Sequence, residues 1–239
     1  MKQLRLIHTF SAISVGAFAA LFMASMETKE IAKTQTPIKV GQYDFQPPSV
    51  AAAKSSTIAF ALIRPQYAEN YGVYMWRSLP AFTKFADAMG ADFEELIIAR
   101  GFSIRGPFDV MDEMVYADKM ETDLMLEVQI ELNISSQNLK TEGDTKYHYA
   151  PYGGSYTSTT WKLKGDFVLD GKINLNARES YTKEKLWAKS IPLQQEIVTI
   201  VGEKIFNHRP DIGEAMTDPA LNNAVVGVLE SYYKKIMST

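Results

Sequence analysis

Strict alternation of apolar and polar residues marks the middle of the chain. In TDLMLEVQIELNIS, residues 122–135, leucine, valine and isoleucine fill every second position. This period of two predicts a strand with one buried and one solvated face. WKLKGDFVLDGKINLNARES alternates likewise, and LWAKSIPL follows a polar turn. Residues 161–193 are therefore predicted to form hairpin or meander strands, with Gly165 and Gly171 at bulges or a turn.

Two segments show the three-and-four spacing of an amphipathic helix. The first covers about 79–100, and Pro80 suits its first turn. Its apolar stripe consists of Leu79, Phe82, Phe85, Met89, Phe93, Leu96 and Ile97. The second helix starts at Asp218-Pro219 and covers about 219–237. Each stripe predicts a helix with one face packed on a sheet.

The first helix lies between two short segments that are predicted to be strands. TIAFALI, residues 57–63, is an apolar run that ends at Arg64-Pro65, where proline should stop the ladder. GFSIRGPFD follows the helix as the second strand. A helix that joins two strands favours parallel pairing, with the phenylalanines of the stripe beside Phe60 and Leu62. The predicted fold is α+β: a mixed sheet with a crossover helix and a C-terminal helix packed on it.

The N-terminus has the layout of an export signal. Lys2 and Arg5 precede an apolar run from about Phe10 to Ala24, after which charged residues return. This run is short for a membrane span, which needs about 20 residues. Three segments are predicted: 1–25, a signal peptide or an uncleaved anchor; 26–56, an extended arm or tether rich in proline and small residues; and 57–239, a single α+β domain.

Charge and composition narrow the function classes. The net charge is −3, so the chain has no basic field to attract nucleic acid, and no nucleic-acid partner is expected. The chain has no cysteine, which excludes disulfides and thiolate metal sites. His8, His148 and His208 share no metal-ligand spacing, and no nucleotide-binding or hydrolase motif is present. We predict no catalytic residue, metal or cofactor, although paired carboxylates could still meet in the folded chain.

One segment stands out for its aromatic content: YHYAPYGGSYTSTTW, residues 147–161. Its large aromatic side chains are Tyr147, Tyr149, Tyr152, Tyr156 and Trp161. Such rings offer flat apolar faces with polar edges, as protein partners and sugar rings require. Three interpretations stay open: a loose hairpin whose tyrosines pack back on the sheet, a partner surface, or a glycan surface. If the chain binds through its own surface, we expect these five residues to carry the binding.

The assembled order resembles the neuraminyllactose-binding haemagglutinin family of bacterial outer-membrane lipoproteins, which are associated with the flagellar sheath and described as adhesins. The matching features span about 55–237. They are the apolar strand closing on Arg64-Pro65 with QYAEN after it, the long helix, ARGFSI, DLMLEVQIEL, GDFVLDGKINL, LWAKSIPL and the closing helix.

The resemblance implies a non-enzymatic, exported protein of the outer membrane, periplasm or cell surface that acts by binding or assembly. Its partners would be envelope or flagellar-sheath proteins, or sialylated glycans, and the resemblance allows membrane association and a homo-oligomer. The alternatives are a periplasmic oligomerising scaffold and, third, a carbohydrate-active enzyme.

Two departures from the family pattern matter. Ser25 lies where the family has its lipid-bearing cysteine, and a thioether-linked lipid needs a thiol. The chain as written is therefore not expected to be a diacylglyceryl lipoprotein. The family's sialic-acid-binding stretch is lysine-rich, whereas SSQNLKTEGDTKYHYAPYGG has isolated lysines and many tyrosines. Sialyl-lactose binding does not carry over residue by residue.

Overall fold

A mixed six-stranded sheet is the frame of the protein. The computed structural model describes residues 36–47, 57–68, 76–136 and 138–239. The elements, in chain order, are β1 (Ala59–Tyr67), α1 (Pro80–Ala99), β2 (Ser103–Phe108), α2 (Tyr116–Met120), β3 (Leu124–Ser135), β4 (Leu139–Tyr149), β5 (Ser155–Glu179), β6 (Lys185–Val201), α3 (Ile212–Ala215) and α4 (Pro219–Met237), with 3-10 turns at Trp76–Ser78 and Met111–Glu113.

The sheet has the order β2-β1-β3-β5-β4, with β6 on the other side of β5. β1 pairs in parallel with both β2 and β3, whereas β5 is antiparallel to β3, β4 and β6. The long helix α1 makes the crossover from β1 to β2. The predicted α+β fold, with its mixed sheet, crossover helix and C-terminal helix, is therefore confirmed.

The main core lies between the sheet and the two long helices. The predicted stripe of α1 is buried at Phe82, Phe85, Met89, Phe93 and Ile97, and these residues share one apolar cluster with Leu62. Buried residues of β3, β5 and α4 complete that cluster. The prediction that the α1 stripe faces the sheet is confirmed by this shared cluster. Phe60 is half-buried and its ring lies 5.1 Å from the ring of Phe102.

β1 differs from the sequence prediction at its end. The sequence predicts that the strand stops at Arg64-Pro65, but it runs to Tyr67. The pairing with β3 goes from Ile63 directly to Gln66, so the two residues between them lie in a register irregularity. A proline that falls at such an irregularity removes no ladder hydrogen bond. This geometry explains why Pro65 does not end the strand.

A short extended segment, residues 36–47, lies along α4, and we call it the strap. The backbone N–H of Lys39 donates to the Asn223 side chain at 2.9 Å, and the Asn222 side chain donates to the Lys39 carbonyl at 2.6 Å. Further along, the ring of Tyr43 lies 5.0 Å from that of Tyr233 and 5.9 Å from that of Phe85. Amide side chains on α4 thus bind the strap backbone, and aromatic packing holds its other end.

Like charges meet where the strap passes α1. The pKa of Asp92 is raised to about 6. Burial is the largest cause, and the negative charges of Glu95 and of Asp44 in the strap add to it. The Oδ2 atom of Asp92 is buried and has no hydrogen-bond partner. Because the folded pKa lies above the ordinary value near 3.9, stability falls as pH rises from about 4 to about 6, and the penalty is complete above pH 6.

Asp92→Asn is therefore expected to stabilise the protein at pH 7.5 and to leave it unchanged near pH 4. Asp92 is only half-buried, so solvent screening reduces the expected gain to about 1 kcal/mol, or roughly 2–4 °C in Tm. Thermal melts at the two pH values measure this difference. The exposed neighbour variant Asp87→Asn is the control. An equal rise in Tm at both pH values would show that the charge of Asp92 is not the cause.

Three predicted features lie wholly or partly outside the described residues. The predicted signal or anchor, 1–25, and the anchor position Ser25 are outside them. Of the predicted arm, 26–56, only the strap is described. The proposed segment boundaries therefore stay predictions.

Candidate binding surface

β4 and the first part of β5 form a two-stranded ribbon that extends past the rest of the sheet. We call residues 139–165 the ribbon. β6 reaches β5 only as far as Lys164, and β3 pairs with β5 only from Val168 onward. Within the described part of the chain, the one further pairing is an isolated bridge between Trp161 and Phe206.

The ribbon is long for an unsupported hairpin. At about 3.3 Å per residue, the strand from Leu163 to Ser155 spans roughly 26 Å, and the turn adds a few more. The turn closes through hydrogen bonds between Ala150 and both Gly153 and Gly154. A lone two-stranded ribbon buries little apolar surface and is only marginally stable in water. Its outer half is therefore suited to gain stability from contact with a partner.

The register divides the ribbon into two chemically different faces. Tyr147 pairs with Thr157 and His148 with Tyr156, and residues directly opposite each other point to the same side. One face of the ribbon continues the face of the sheet that the two long helices cover, and we call it the neutral face. Its side chains are Thr141, Thr145, Tyr147, Tyr149, Ser155, Thr157, Thr159 and Trp161. The charged face carries Lys140, Glu142, Asp144, Lys146, His148, Tyr156, Ser158, Lys162 and Lys164.

The four predicted tyrosines surround the tip of the ribbon. Their exposed fractions are 73% for Tyr147, 85% for Tyr149, 100% for Tyr152 and 61% for Tyr156. Tyr147 and Tyr149 lie on the neutral face, Tyr156 lies on the charged face, and Tyr152 is in the turn. None of them packs back on the sheet. Of the three interpretations of this segment, the loose hairpin with buried tyrosines does not describe these side chains.

The fifth predicted residue, Trp161, lies apart from the others at the base of the ribbon. Its backbone exchanges hydrogen bonds of 2.8 and 2.9 Å with Phe206, and its half-buried ring packs against the main core. A Cβ built on Gly143, directly opposite, would lie 3.0 Å from that ring. Trp161 thus anchors the ribbon to the domain, at some distance from the tyrosines at the tip.

The segment 147–161 also differs from the prediction in its backbone. The sequence predicts a loop that strand periodicity does not claim, but only residues 150–154 are outside β4 and β5. The strands form because paired threonines favour extended backbone and bond across the ribbon, as Thr145 and Thr159 do at 3.0 Å. One pattern in the sequence does indicate a strand here: from 140 to 146 every charged residue falls at an even position, the period of two of a strand with one charged face.

His148 supports the tip from the charged face. Its ring stacks on that of Tyr156 with centroids 4.7 Å apart, and its Nε2 lies 2.7 Å from the Ser158 hydroxyl. These contacts fix Tyr156 across the two strands. His148 therefore has structural partners on the ribbon.

The rest of the described chain shows shallow depressions. The larger has a volume of about 670 Å³ and lies beside the first turns of α1, and a second of about 600 Å³ lies at the ribbon base around Gly165. Among the described residues, no three His, Asp or Glu side chains meet as a metal site requires. No helix in the described ranges is long and apolar enough to cross a membrane.

Comparison with known proteins identifies a shared fold. No protein-family model matches the chain, and no curated protein matches its sequence. A crystal structure described as a neuraminyllactose-binding hemagglutinin homolog from Helicobacter pylori is 15% identical, with a TM-score of 0.52, over 82% of this chain and 89% of that chain. The resemblance predicted from the sequence is thus confirmed at the level of the fold.

Two further solved structures are more distant in shape. A lipoprotein from Neisseria meningitidis is 12% identical, with a TM-score of 0.29, over 76% of this chain and 99% of its own. A protein from Xanthomonas campestris is 11% identical, with a TM-score of 0.25, over 85% of this chain and 94% of its own. At these scores neither carries an argument about fold or function.

Proposed function

We propose that this chain is a non-enzymatic, exported protein of the bacterial envelope that acts by binding or assembly at the bacterial surface. Its contact surface is the tyrosine tip of the ribbon, residues 147–156. The predicted export signal and the fold shared with a hemagglutinin homolog support this class of function. An adhesin would use such a tip for a glycan or for an envelope protein.

One observation carries the proposal: four exposed tyrosines lie at the end of a ribbon that nothing else in the described chain covers. Exposed substitutions of this kind cost little stability, so the fold itself does not require large aromatics there. Tyrosine adds wide contact area at low conformational cost and is enriched in binding anchors. Between Tyr147 and Trp161 the ribbon has no Asp, Glu, Lys or Arg, so a partner would meet an uncharged surface.

Replacing Tyr147, Tyr149 and Tyr152 together with alanine is expected to weaken binding at least about 30-fold. Binding anchors commonly carry about 2 kcal/mol or more each, and about 2 kcal/mol is already a factor of 30. The readouts are a glycan array and the binding of labelled protein to purified envelopes. The Tm should move by only a degree or two, because the three side chains make few contacts within the chain.

A matched control removes tyrosines of similar exposure outside the ribbon. Tyr116 and Tyr181 are 68% and 63% exposed. The Tyr116→Ala/Tyr181→Ala variant should bind like the wild type. Normal binding by the ribbon variant would overturn the proposal. A large drop in its Tm would instead show that the tyrosines are structural.

An oligomerising scaffold is the second candidate, and β6 is the observation that favours it. β6 has 17 residues and pairs only with β5, so its outer edge is open within the described chain. Leu186, Trp187, Ile197 and Val201 are exposed along it. Such edges recruit further strands unless they are protected, and Pro192 and the register shift after Leu193 give partial protection. Light scattering that measures the oligomer mass of Ile197→Lys and of the ribbon variant distinguishes the two functions. If the protein is a scaffold that assembles through β6, Ile197→Lys should lose assembly and the ribbon variant should keep it.

A further inference from the structure

The chain enters the domain at the same end from which the ribbon projects. Asp218, the N-cap of α4, accepts hydrogen bonds of 2.8 Å from the backbones of Glu203 and Lys204, next to the ribbon base at Leu163. The other end of α4 lies away from the ribbon, where Lys189 of β6 donates to the Thr239 carbonyl. α4 therefore points away from the tip.

The strap follows α4 in the same direction. Asn223, in the second turn of α4, donates to the carbonyl of Pro37, and Glu230, two turns later, accepts from the backbone of Gln42. The start of the strap is thus beside the ribbon base. The described part of the chain therefore begins, at Thr36, beside the ribbon end of the domain.

The length of the chain before Thr36 matches the length of the ribbon. The predicted apolar run ends at Ala24, and eleven residues, 25–35, separate it from Thr36. A chain of eleven residues reaches at most about 36–40 Å, and the ribbon reaches roughly 30 Å beyond its base. An apolar run held in a membrane would let the ribbon tip arrive at the surface of that membrane.

The chemistry of the tip suits a lipid headgroup layer better than a partner with a single docking face. Tyrosines lie on both faces of the tip and in its turn, so every side of the tip presents an aromatic ring. A segment that inserts into a lipid layer is surrounded by lipid on every side and needs this arrangement. Tyrosine is a preferred residue at the membrane–water interface because its ring is apolar and its hydroxyl is polar.

Charge is absent from the tip and returns only behind it. Residues 147–161 contain no Asp, Glu, Lys or Arg. Behind them the ribbon carries four lysines against two acids, a net charge of +2 on a chain whose total is −3; these are Lys140, Lys146, Lys162, Lys164, Glu142 and Asp144. Lys146 lies nearest the tip, directly behind Tyr147 on the same strand, and is positioned for lipid phosphates.

We infer that the ribbon tip docks in the headgroup layer of the membrane to which the N-terminal segment leads, and that Tyr147, Tyr149, Tyr152 and Tyr156 enter that layer. This inference rests on the proposed function, because it names the lipid surface as the partner of the same tip. The ribbon then acts as a strut that sets the height and tilt of the domain above the bilayer.

The test uses the absence of cysteine in the chain. Ala150→Cys in the turn and Tyr181→Cys at the far end of β5 each accept one environment-sensitive fluorophore in the full-length protein. The proteins are reconstituted into vesicles of phosphatidylcholine and phosphatidylglycerol, with or without a headgroup-proximal spin-labelled lipid. The label at 150 should shift to the blue and lose more than about half of its emission to the quencher, whereas the label at 181 should do neither.

Tyrosine variants separate docking of the tip from attachment by the N-terminal segment. Adding Tyr149→Ser and Tyr152→Ser to Ala150→Cys should return the label to water while the protein stays on the vesicles. Tyr116→Ser in the same background should change nothing. A label at 150 that stays in water in the unaltered ribbon overturns the inference.

The two proposals fail in distinguishable ways. If the label at 150 remains in water but the ribbon alanine variant still loses its glycan or envelope-protein binding, the inference falls and the proposed function stands. If neither measurement responds to the tyrosines, both fall. Equal quenching at 150 and 181 would mean that the domain lies flat on the bilayer, which also contradicts the strut.

Discussion

Replacing Phe85 with alanine should lower the free energy of unfolding by about 3–5 kcal/mol, as truncation of a buried phenylalanine typically does. Phe85 has no exposed surface and belongs to the core cluster formed by α1, α4 and the sheet. Its ring also contacts Tyr43, so its loss loosens the strap as well as the core. Such a loss is a large share of the roughly 5–15 kcal/mol that a domain has available.

The measurement is a chemical denaturation curve together with a thermal melt, for which we expect a Tm lower by roughly 10 °C. Ile98→Ala is the matched control, since Ile98 is on the same helix and is 53% exposed. Its effect should stay near 0.5 kcal/mol. Equal losses for the two variants would contradict the packing described here.

Helices and half-buried strands were predictable because burial leaves a period in the sequence. The apolar stripe of α1 is recognised from the spacing of three and four residues between its members. Gly90 lies inside this helix and does not break it, despite the poor helix propensity of glycine. The reason for that glycine is tertiary: a Cβ at Gly90 would lie 3.0 Å from the ring of Pro65 on β1. No periodicity in the sequence could indicate such a contact.

The strap was beyond sequence reasoning for a different reason. Its backbone is held by side chains of Asn222, Asn223 and Glu230, about 180 residues further along the chain. Extended segments that bind in this way have no alternation of their own, and their prolines and small residues equally indicate a free linker. The sequence therefore predicts an extended arm or tether, but it does not indicate that residues 36–47 lie along α4.

The amino-acid composition predicts which residues form the candidate surface, but it does not predict on which face of the ribbon each of them lies. A count of aromatic residues selects Tyr147, Tyr149, Tyr152 and Tyr156 without regard to side. Which face each one occupies depends on register, and a shift of one residue moves every side chain to the opposite face. Composition groups Trp161 with the tyrosines because it is aromatic, whereas its place in the register puts it against Phe206 at the base.

Gly165 lies where the ribbon meets the sheet, in close contact with the backbone of Asn138, and Gly165→Ala should cost about 2–4 kcal/mol. Its φ is +117°, and a Cβ there would collide with the carbonyl oxygen of Asn138. Asn138 lies in the connection that ends β3 and begins β4, so both strands depend on this close approach. Backbone strain of this kind costs about 1–3 kcal/mol, and the collision adds to it.

Gly154→Ala is the control for a glycine whose added Cβ meets no neighbour. Gly154 also has a positive φ, +130°, but no heavy atom lies within 4 Å of the position of its Cβ. Because it is in the turn, the tip can relax without disturbing the core. We expect Gly154→Ala to melt within about 2 °C of the wild type and Gly165→Ala to melt at least about 5 °C lower.

The same pair of variants connects the fold to the surface. Misplacing the base should disorder the faces of the ribbon, so Gly165→Ala should also lose affinity in the envelope-binding assay at a temperature where the domain is still folded. Circular dichroism at that temperature verifies the fold. A Gly165→Ala protein that melts and binds like the wild type would show that the connection around Asn138 moves aside.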